Sequence, residues 1–236
     1  MSVTMTLGLA IVGYGKMGHL VEVLAPEHGF EVRAKFNSRN NLNGAGLTPA
    51  TLNGIDVAIE FSTPDSAAEN IRQLAAAGVN TAVGTTGWLE QLPSAREAVT
   101  QSGTGLVWAP NFSVGVNLFF QAVADTAALF AKKPEYDAWG WEIHHGAKKD
   151  SPSGTLRKLA EDMRASGYER PICLTANRAG SHPGTHEIGF DSAEDTITLR
   201  HTARSREGFA RGALRAAHWV AGKRGWFEFR EILSEL

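Results

Sequence analysis

Leu7-Gly8-Leu9-Ala10-Ile11-Val12-Gly13-Tyr14-Gly15-Lys16-Met17-Gly18 decides how the chain is read. Its first half is a short apolar run, suited to a parallel strand buried on both faces. Its second half is a G-x-G-x-x-G turn. Beyond it Met17, Val21 and Leu24 keep helical spacing, His28-Gly29 makes a turn, and residues 30–36 alternate as a second strand. A lone glycine fingerprint is a weak signal, but set between strand and helix it marks a dinucleotide site. The first glycine permits the tight turn, the second lets backbone N–H groups approach a pyrophosphate, and the third lets helix and strand pack closely. The helix start favours the phosphate charge. Gly13, Tyr14, Gly15, Lys16, Met17 and Gly18 are therefore expected to bind the cofactor.

The second strand ends in Phe36-Asn37-Ser38-Arg39. A site selective for NAD usually carries an acid there, for the adenosine ribose. Here no acid repels a 2′-phosphate, and Arg39 and Lys16 could pair with one. Asn37, Ser38 and Arg39 are expected to read the ribose, with NADPH preferred and NADH the alternative. The competing view makes Arg39 a solvated loop residue.

Strand and helix continue to alternate. Strands are expected at 56–62, 80–83 and 105–109, with helices from 63 to 78 and over Leu89–Gln101. Residues 40–52 read as a loop. In a doubly wound sheet the ligand crevice lies at the carboxyl ends of the strands. That places Gly84, Thr85 and Thr86, and Ala109, Pro110, Asn111 and Phe112, beside the nicotinamide. A long apolar helix follows over Val114–Phe130. After Tyr136 the pattern changes to strands at 139–144, 172–178, 186–190 and 196–203, with one helix at 155–165, as in an open mixed sheet. The expected architecture is α/β: an N-terminal Rossmann-type doubly wound parallel sheet, residues 1–112 completed by 209–236, and a C-terminal α+β domain, 113–208, on an open mixed sheet.

The chemistry is expected in Glu142-Ile143-His144-His145-Gly146-Ala147-Lys148-Lys149-Asp150-Ser151-Pro152-Ser153-Gly154-Thr155, a loop between strand and helix. A nicotinamide transfers hydride, so the substrate must also take a proton. His144 and Lys148 are the proton sources at hand. Pro-Ser-Gly-Thr before a helix offers backbone N–H groups and a hydroxyl to an anion, so a carboxylic acid substrate is expected. No cysteine or clustered carboxylate completes a metal set with the histidines, and no metal is expected. His28, His182, His186, His201 and His218 read as structural or surface residues. Arg178, His182, Arg204 and Arg206 could add positive charge to a pocket, though arginines at strand ends usually face solvent. Cys173 is expected to be buried rather than nucleophilic.

Bulk properties narrow the partners. At 43% hydrophobic and 20% charged residues, the 236-residue chain is too apolar to be disordered. A formal charge of -2 gives no sign of nucleic acid or membrane as partner. The single cysteine excludes an intrachain disulfide and points to a reducing compartment. No apolar run reaches the roughly 20 residues of a membrane span. Residues 1–6 are polar and too short for a signal peptide. A cytoplasmic protein is expected.

Together these residues resemble the 4-hydroxy-tetrahydrodipicolinate reductase family, also called dihydrodipicolinate reductase. The resemblance rests on the glycine fingerprint, on Val83-Gly84-Thr85-Thr86-Gly87, on Asn111-Phe112-Ser113-Val114-Gly115-Val116-Asn117, and on Arg206, Phe209, Ala210, Gly212 and Ala213. Its most specific part is Glu142, His144, His145, Lys148, Asp150 and Pro152-Ser153-Gly154-Thr155. It implies NAD(P)H-dependent reduction of a cyclic dicarboxylate imine on the diaminopimelate route to lysine, with hydride going to ring C4. It also implies a second domain that binds substrate and builds a homotetramer. By position, His144 would be the acid/base, Lys148 the second proton donor, His145 a substrate contact, and Gly154 with Thr155 the carboxylate holder. The chain departs from the family in Asn37, where an acid is common, and in a shorter length, with loops trimmed near 40–52 and 166–170. Two other readings remain open on sequence: another imino- or amino-acid dehydrogenase of this architecture, and a non-catalytic NAD(P)H sensor.

Overall fold

The computed structural model describes residues 6–236. Residues 1–5, most of the segment read above as too short for a signal peptide, fall outside the described residues. The chain divides into two compact units, residues 1–114 with 207–236, and residues 115–206.

The first unit is built on β1 (Leu7–Val12), β2 (Phe30–Phe36), β3 (Val57–Glu60), β4 (Asn80–Val83), β5 (Gly105–Trp108) and β10 (Gly225–Glu228). They form one parallel sheet in the order β10-β5-β4-β3-β1-β2. The central strands are short and buried throughout, because helices cover both faces. The helices are α1 (Lys16–Leu24), α2 (Pro64–Ala76), α3 (Leu92–Ser102) and α6 (Glu207–Val220). Leu9, Ile11, Val57 and Ile59 meet Val21 and Leu24 of α1 and a row of alanines on α6. Those small residues bring α6 close; a Cβ on Gly212 would overlap the Phe112 carbonyl. On the other face Ala67, Ile71, Ala95 and Val99 pack on Val83, Leu106 and Trp88.

Strand order reverses between β1 and β3: β2 lies outside β1, and β4 continues beyond β3. The ligand crevice of such sheets opens at that reversal. The helix expected over 89–101 divides into a 3-10 turn at Leu89–Gln91 and α3, because Pro93 has no N–H to continue the ladder and sits in the first turn of α3.

The second unit carries β6 (Asp137–His144), β7 (Ile172–Arg178), β8 (Thr185–Asp191) and β9 (Thr196–Thr202) in a mixed sheet ordered β7-β6-β8-β9. β6 runs parallel to β7 and antiparallel to β8. The helices are α4 (Val114–Phe130) and α5 (Gly154–Ala165). Phe119, Phe120 and Val123 of α4 and Leu156, Leu159 and Met163 of α5 pack with Ala138, Ile188 and Phe190 of the sheet. The opposite face of β6 carries Trp139, Trp141 and Ile143, all half-buried, and the Trp139 ring lies where a side chain on Gly189 would stand. Cys173 is exposed, against the expectation of burial. It sits on edge strand β7, whose strict alternation turns it to that uncovered face. Among the described residues no helix is long and apolar enough to cross a membrane.

Candidate active site

In the first unit the glycine turn joins β1 to α1. Gly13 and Tyr14 both donate to the Phe36 carbonyl at 2.9 Å, which folds the turn across β2. Gly13 has φ 95°, and a Cβ there would overlap the Phe61 carbonyl. A Cβ on Gly18 would stand 2.6 Å from the Gly13 oxygen and 3.1 Å from Ile11. At Gly15 a Cβ would meet nothing within 4 Å. Gly13 and Gly18 are thus required by the protein's own packing, whereas Gly15 borders open space at the start of α1. That helix has no side-chain cap and no acid in its first turn, so its leading N–H groups are available to an anion.

A cavity of about 330 Å³ adjoins the turn, lined among others by Gly15, Asn37, Ser38, Asn41 and Ser62. The donor set suits the ribose and phosphates of a dinucleotide. Asn37 is held by the backbone it caps: its Oδ1 accepts from Arg39 N at 2.8 Å, and its N donates to Asn40 Oδ1 at 2.7 Å. Arg39 and Lys16 are exposed. Tyr14, which also lines the cavity, donates to Glu22 beneath the Lys35 ammonium. That bond to Glu22 raises the Tyr14 pKa.

The two loops expected at the nicotinamide follow β4 and β5. Gly84 N donates to the Glu60 carbonyl at 2.8 Å, and Trp88 Nε1 donates to the Thr85 carbonyl at 2.8 Å. Ala109 N donates to the Val83 carbonyl at 3.0 Å. The Phe112 ring is a core residue between Phe61 and Phe229, so only its backbone can face a ligand.

In the second unit the alternation of β6 turns Ala138, Gly140, Glu142 and His144 to the buried face. Glu142 is fully buried and gathers donors from three elements. Its Oε1 accepts from Ser153 N and from Arg178 Nη2, each at 2.8 Å. Its Oε2 accepts from the Ser153 hydroxyl and lies 3.2 Å from His186 Nε2 and 3.4 Å from His144 Nδ1. The last contact is not aligned as a hydrogen bond, and Nδ1 of His144 has no other partner. Burial alone would raise the Glu142 carboxyl, but the bonds from His186, Ser153 and Arg178 outweigh it and hold the group far below the usual carboxylate range. His144 moves the other way from a usual imidazole: burial lowers it to about 4, assisted by the charges of His186, Lys148 and Arg178 and opposed by Glu142. It is neutral at pH 7. Its ring rests on Gly184, where a Cβ would stand 2.9 Å from Nε2.

Downstream, Lys148 Nζ pairs with Asp150 Oδ1 at 2.7 Å, and Asp150 Oδ2 faces Gly154 N at 3.4 Å. Lys148 accordingly lowers the Asp150 carboxyl. Arg178 also donates to the Asp150 carbonyl. The turn contains a cis Ser151–Pro152 bond. Ser153 caps α5, accepting from Leu156 N at 3.2 Å. Its hydroxyl is engaged by the cap and by Glu142, so the hydroxyl left to a ligand is that of Thr155. Gly154 opens the helix with nothing within 4 Å of a Cβ position. The His145 backbone is pinned by its N–H to the His182 carbonyl at 2.8 Å.

Sequence alone does not group His186 and Arg178 with Glu142. His186, expected to be structural or surface, is buried against it, and Arg178, weighed as pocket charge or a solvent-facing strand-end residue, is half-buried on the same carboxylate. Ligand atoms of Glu142, His144 and His186 lie within 4.8 Å of one another, a grouping that strand pairing creates. The cation already seated on that carboxylate is Arg178.

Comparison with known proteins joins both units to one family. The family model described as "Dihydrodipicolinate reductase, N-terminus" matches residues 7–112, and that described as "Dihydrodipicolinate reductase, C-terminus" matches residues 115–233. A 4-hydroxy-tetrahydrodipicolinate reductase of Christiangramia forsetii is 34% identical over 98% of this chain and 99% of its own. One of Archaeoglobus fulgidus is 33% identical over 93% and 96%. In fold, the chain is similar to the dipicolinate-bound dihydrodipicolinate reductase of Paenisporosarcina sp. TG-14, with TM-score 0.79, 23% identity and coverage of 97% and 100%. With matches that run through both units and relatives that align nearly end to end, the chain belongs to the 4-hydroxy-tetrahydrodipicolinate reductase family.

Proposed function

We propose that this protein is a cytoplasmic NAD(P)H-dependent oxidoreductase that reduces 4-hydroxy-tetrahydrodipicolinate to tetrahydrodipicolinate on the diaminopimelate route to lysine. Beyond family membership, the observation that carries the reading is the loop from Glu142 to Thr155. It sets a neutral histidine and a lysine cation upstream of a helix start with free space beside Gly154 and an N–H that already faces a carboxylate, that of Asp150.

NADPH or NADH, when bound, supplies the hydride. The open N-terminus of α1 at Gly15 receives the pyrophosphate, and Asn37 and Ser38 contact the adenosine ribose. Arg39 and Lys16 are exposed and free of nearby acids in sequence, which favours a 2′-phosphate and hence NADPH. Residues 84–86 and 109–112 line the nicotinamide. On the substrate side, Gly154 N and the Thr155 hydroxyl hold a carboxylate at the helix start, and His145 makes a further contact. Loss of the C4 hydroxyl as water gives the conjugated cyclic imine; hydride addition at its C4 would then push electron density toward the ring nitrogen, and a proton must complete the reduction. His144, neutral at pH 7, has no surplus proton there, so Lys148 is the donor and His144 accepts or relays. The uncovered face of the second sheet, with Trp139, Trp141 and Cys173, favours a homotetramer.

The test is oxidation of NADPH and NADH, followed at the nicotinamide absorbance, with enzymatically generated substrate. No oxidation above the substrate-free rate would refute the activity. Equal affinity for both cofactors at low salt would refute the preference. A monomer by light scattering would refute the assembly.

A further inference from the structure

Glu60 ends β3 at the strand reversal and is fully buried. Nothing proposed above uses it. Its Oε1 accepts from Ser62 N at 3.1 Å, from the Ser62 hydroxyl, and from Asn70 Nδ2 at 3.2 Å. Its Oε2 is buried and has no aligned partner. A second buried oxygen is in the same condition: Thr85 Oγ1. The two side chains are neighbours, close enough for Thr85 to count among the hydrogen-bonding groups acting on the carboxyl. Rotation of the Thr85 hydroxyl or of the carboxyl would align them. A buried polar atom left unpaired costs stability, and a methionine or leucine would fill this volume without that cost.

The position of the pair matters. Residues 60–62 touch both halves of the crevice. Phe61 N donates to the Val12 carbonyl at 2.7 Å, and the Phe61 carbonyl closes against Gly13. On the other side Gly84 N donates to the Glu60 carbonyl, and the Phe61 ring occupies the space where a Gly84 side chain would stand. Asn70 extends the chain of bonds, accepting from Asn41 Nδ2 at 2.9 Å, and Asn41, Ser62 and Asn70 line the 330 Å³ cavity. A continuous set of side chains thus runs from that cavity through Glu60 to the loop at 84–88.

We propose that Glu60 is a positioning residue of the cofactor site: its carboxyl joins the Thr85 loop to Ser62 and Asn70, so that occupancy of the adenosine side orders the nicotinamide side. With Oε1 taken up by three donors, Oε2 is the oxygen left for the Thr85 hydroxyl, which donates to it on rotation. Burial raises the Glu60 pKa, and the bonds from Ser62, Thr85 and Asn70 oppose that rise. The inference rests on the cofactor reading given above.

The test uses the full-length protein and adenosine 2′,5′-bisphosphate, the half of NADPH that lacks nicotinamide. At saturation it should slow amide hydrogen exchange at 84–88 several-fold in wild-type protein, although it does not reach that loop. Glu60→Leu and Thr85→Val should bind the fragment without slowing exchange there, and their NADPH affinity should fall about tenfold, the size of one buried hydrogen bond. Glu60→Gln, whose amide nitrogen can donate to the Thr85 oxygen once that hydroxyl turns, should retain the coupling. Should Glu60→Leu fail to fold, Thr85→Val decides alone. Unchanged exchange at 84–88 in saturated wild-type protein, or coupling that survives Thr85→Val, overturns the proposal. Failure of the wild-type protein to bind either cofactor or the fragment would instead refute the cofactor reading on which it rests.

Discussion

Replacing Glu142 by glutamine keeps the shape of the side chain and removes its charge. The amide oxygen would settle on the Oε1 side, where Arg178 and Ser153 N both require an acceptor at 2.8 Å. The amide nitrogen would take the Oε2 side, where the Ser153 hydroxyl can turn to accept and His186 can change tautomer. What is lost is the ionic attraction that offsets the charge of Arg178. Removing one partner of a buried ion pair costs roughly 3–5 kcal/mol. The Arg178 side chain is 16% exposed, so water relieves part of the loss and about 3 kcal/mol is expected. For a chain of this size that lowers Tm by about 6–12 °C. Thermal melts by circular dichroism at pH 7.5 measure it directly. Acid titration adds a check on sign. A carboxyl held below its unfolded value stabilises above that value and ceases to as pH falls through the folded one. The difference between wild-type and variant should therefore be full at neutral pH and shrink only below about pH 4.5. A variant melting within about 2 °C of wild-type at pH 7.5 would refute the view of Glu142 as the charge partner of Arg178.

Further outcomes follow from single residues. Gly15→Ala should fold with unchanged Tm, because its Cβ meets nothing, yet weaken NADPH binding at least tenfold by calorimetry. Gly13→Ala, at φ 95° and against the Phe61 carbonyl, should instead lose stability in the same melts. Lys148→Ala should lower kcat about 10²–10⁴-fold with cofactor Kd unchanged, by steady-state assay and titration. Neutral His144 makes folding pH-dependent: its folded value of about 4 lies below the unfolded 6.5, so the unfolded chain binds the extra proton between them. Stability in urea should fall across that window as pH drops, by up to about 3 kcal/mol, and His144→Asn should flatten the slope.

Much of the first unit is legible in sequence because its signals are local. The glycine turn, the buried runs and the breaks after each strand fall within a few residues of what they determine. The second unit is less legible because its cluster depends on strand pairing. The β6–β8 register sets Glu142 opposite His186, and the β6–β7 register sets His144 beside Arg178. Neither order nor register of those strands has a local mark. One part of the cluster is legible: Glu142 and His144, two apart on a strand, must share a face. The exposure of Cys173 has no mark in sequence, because an edge strand with one uncovered face looks apolar there. Glu60, read only as the end of a strand, gained its meaning from Thr85, Ser62 and Asn70 together.

β10 pairs with β5 although residues 115–206 intervene, and α6 supplies much of the core under β1 and β3. A ribosome therefore delivers the second unit before the first can be finished. Until α6 emerges, β1 and β3 have one helical layer open to water, a hazard for a nascent chain. The insertion itself strains nothing, because the polypeptide leaves and returns at one spot: a Cβ on Gly208 would stand 3.6 Å from Ser113 Oγ. A short turn joining those two positions would close the nucleotide unit on itself, as a module that can be made and folded without its passenger.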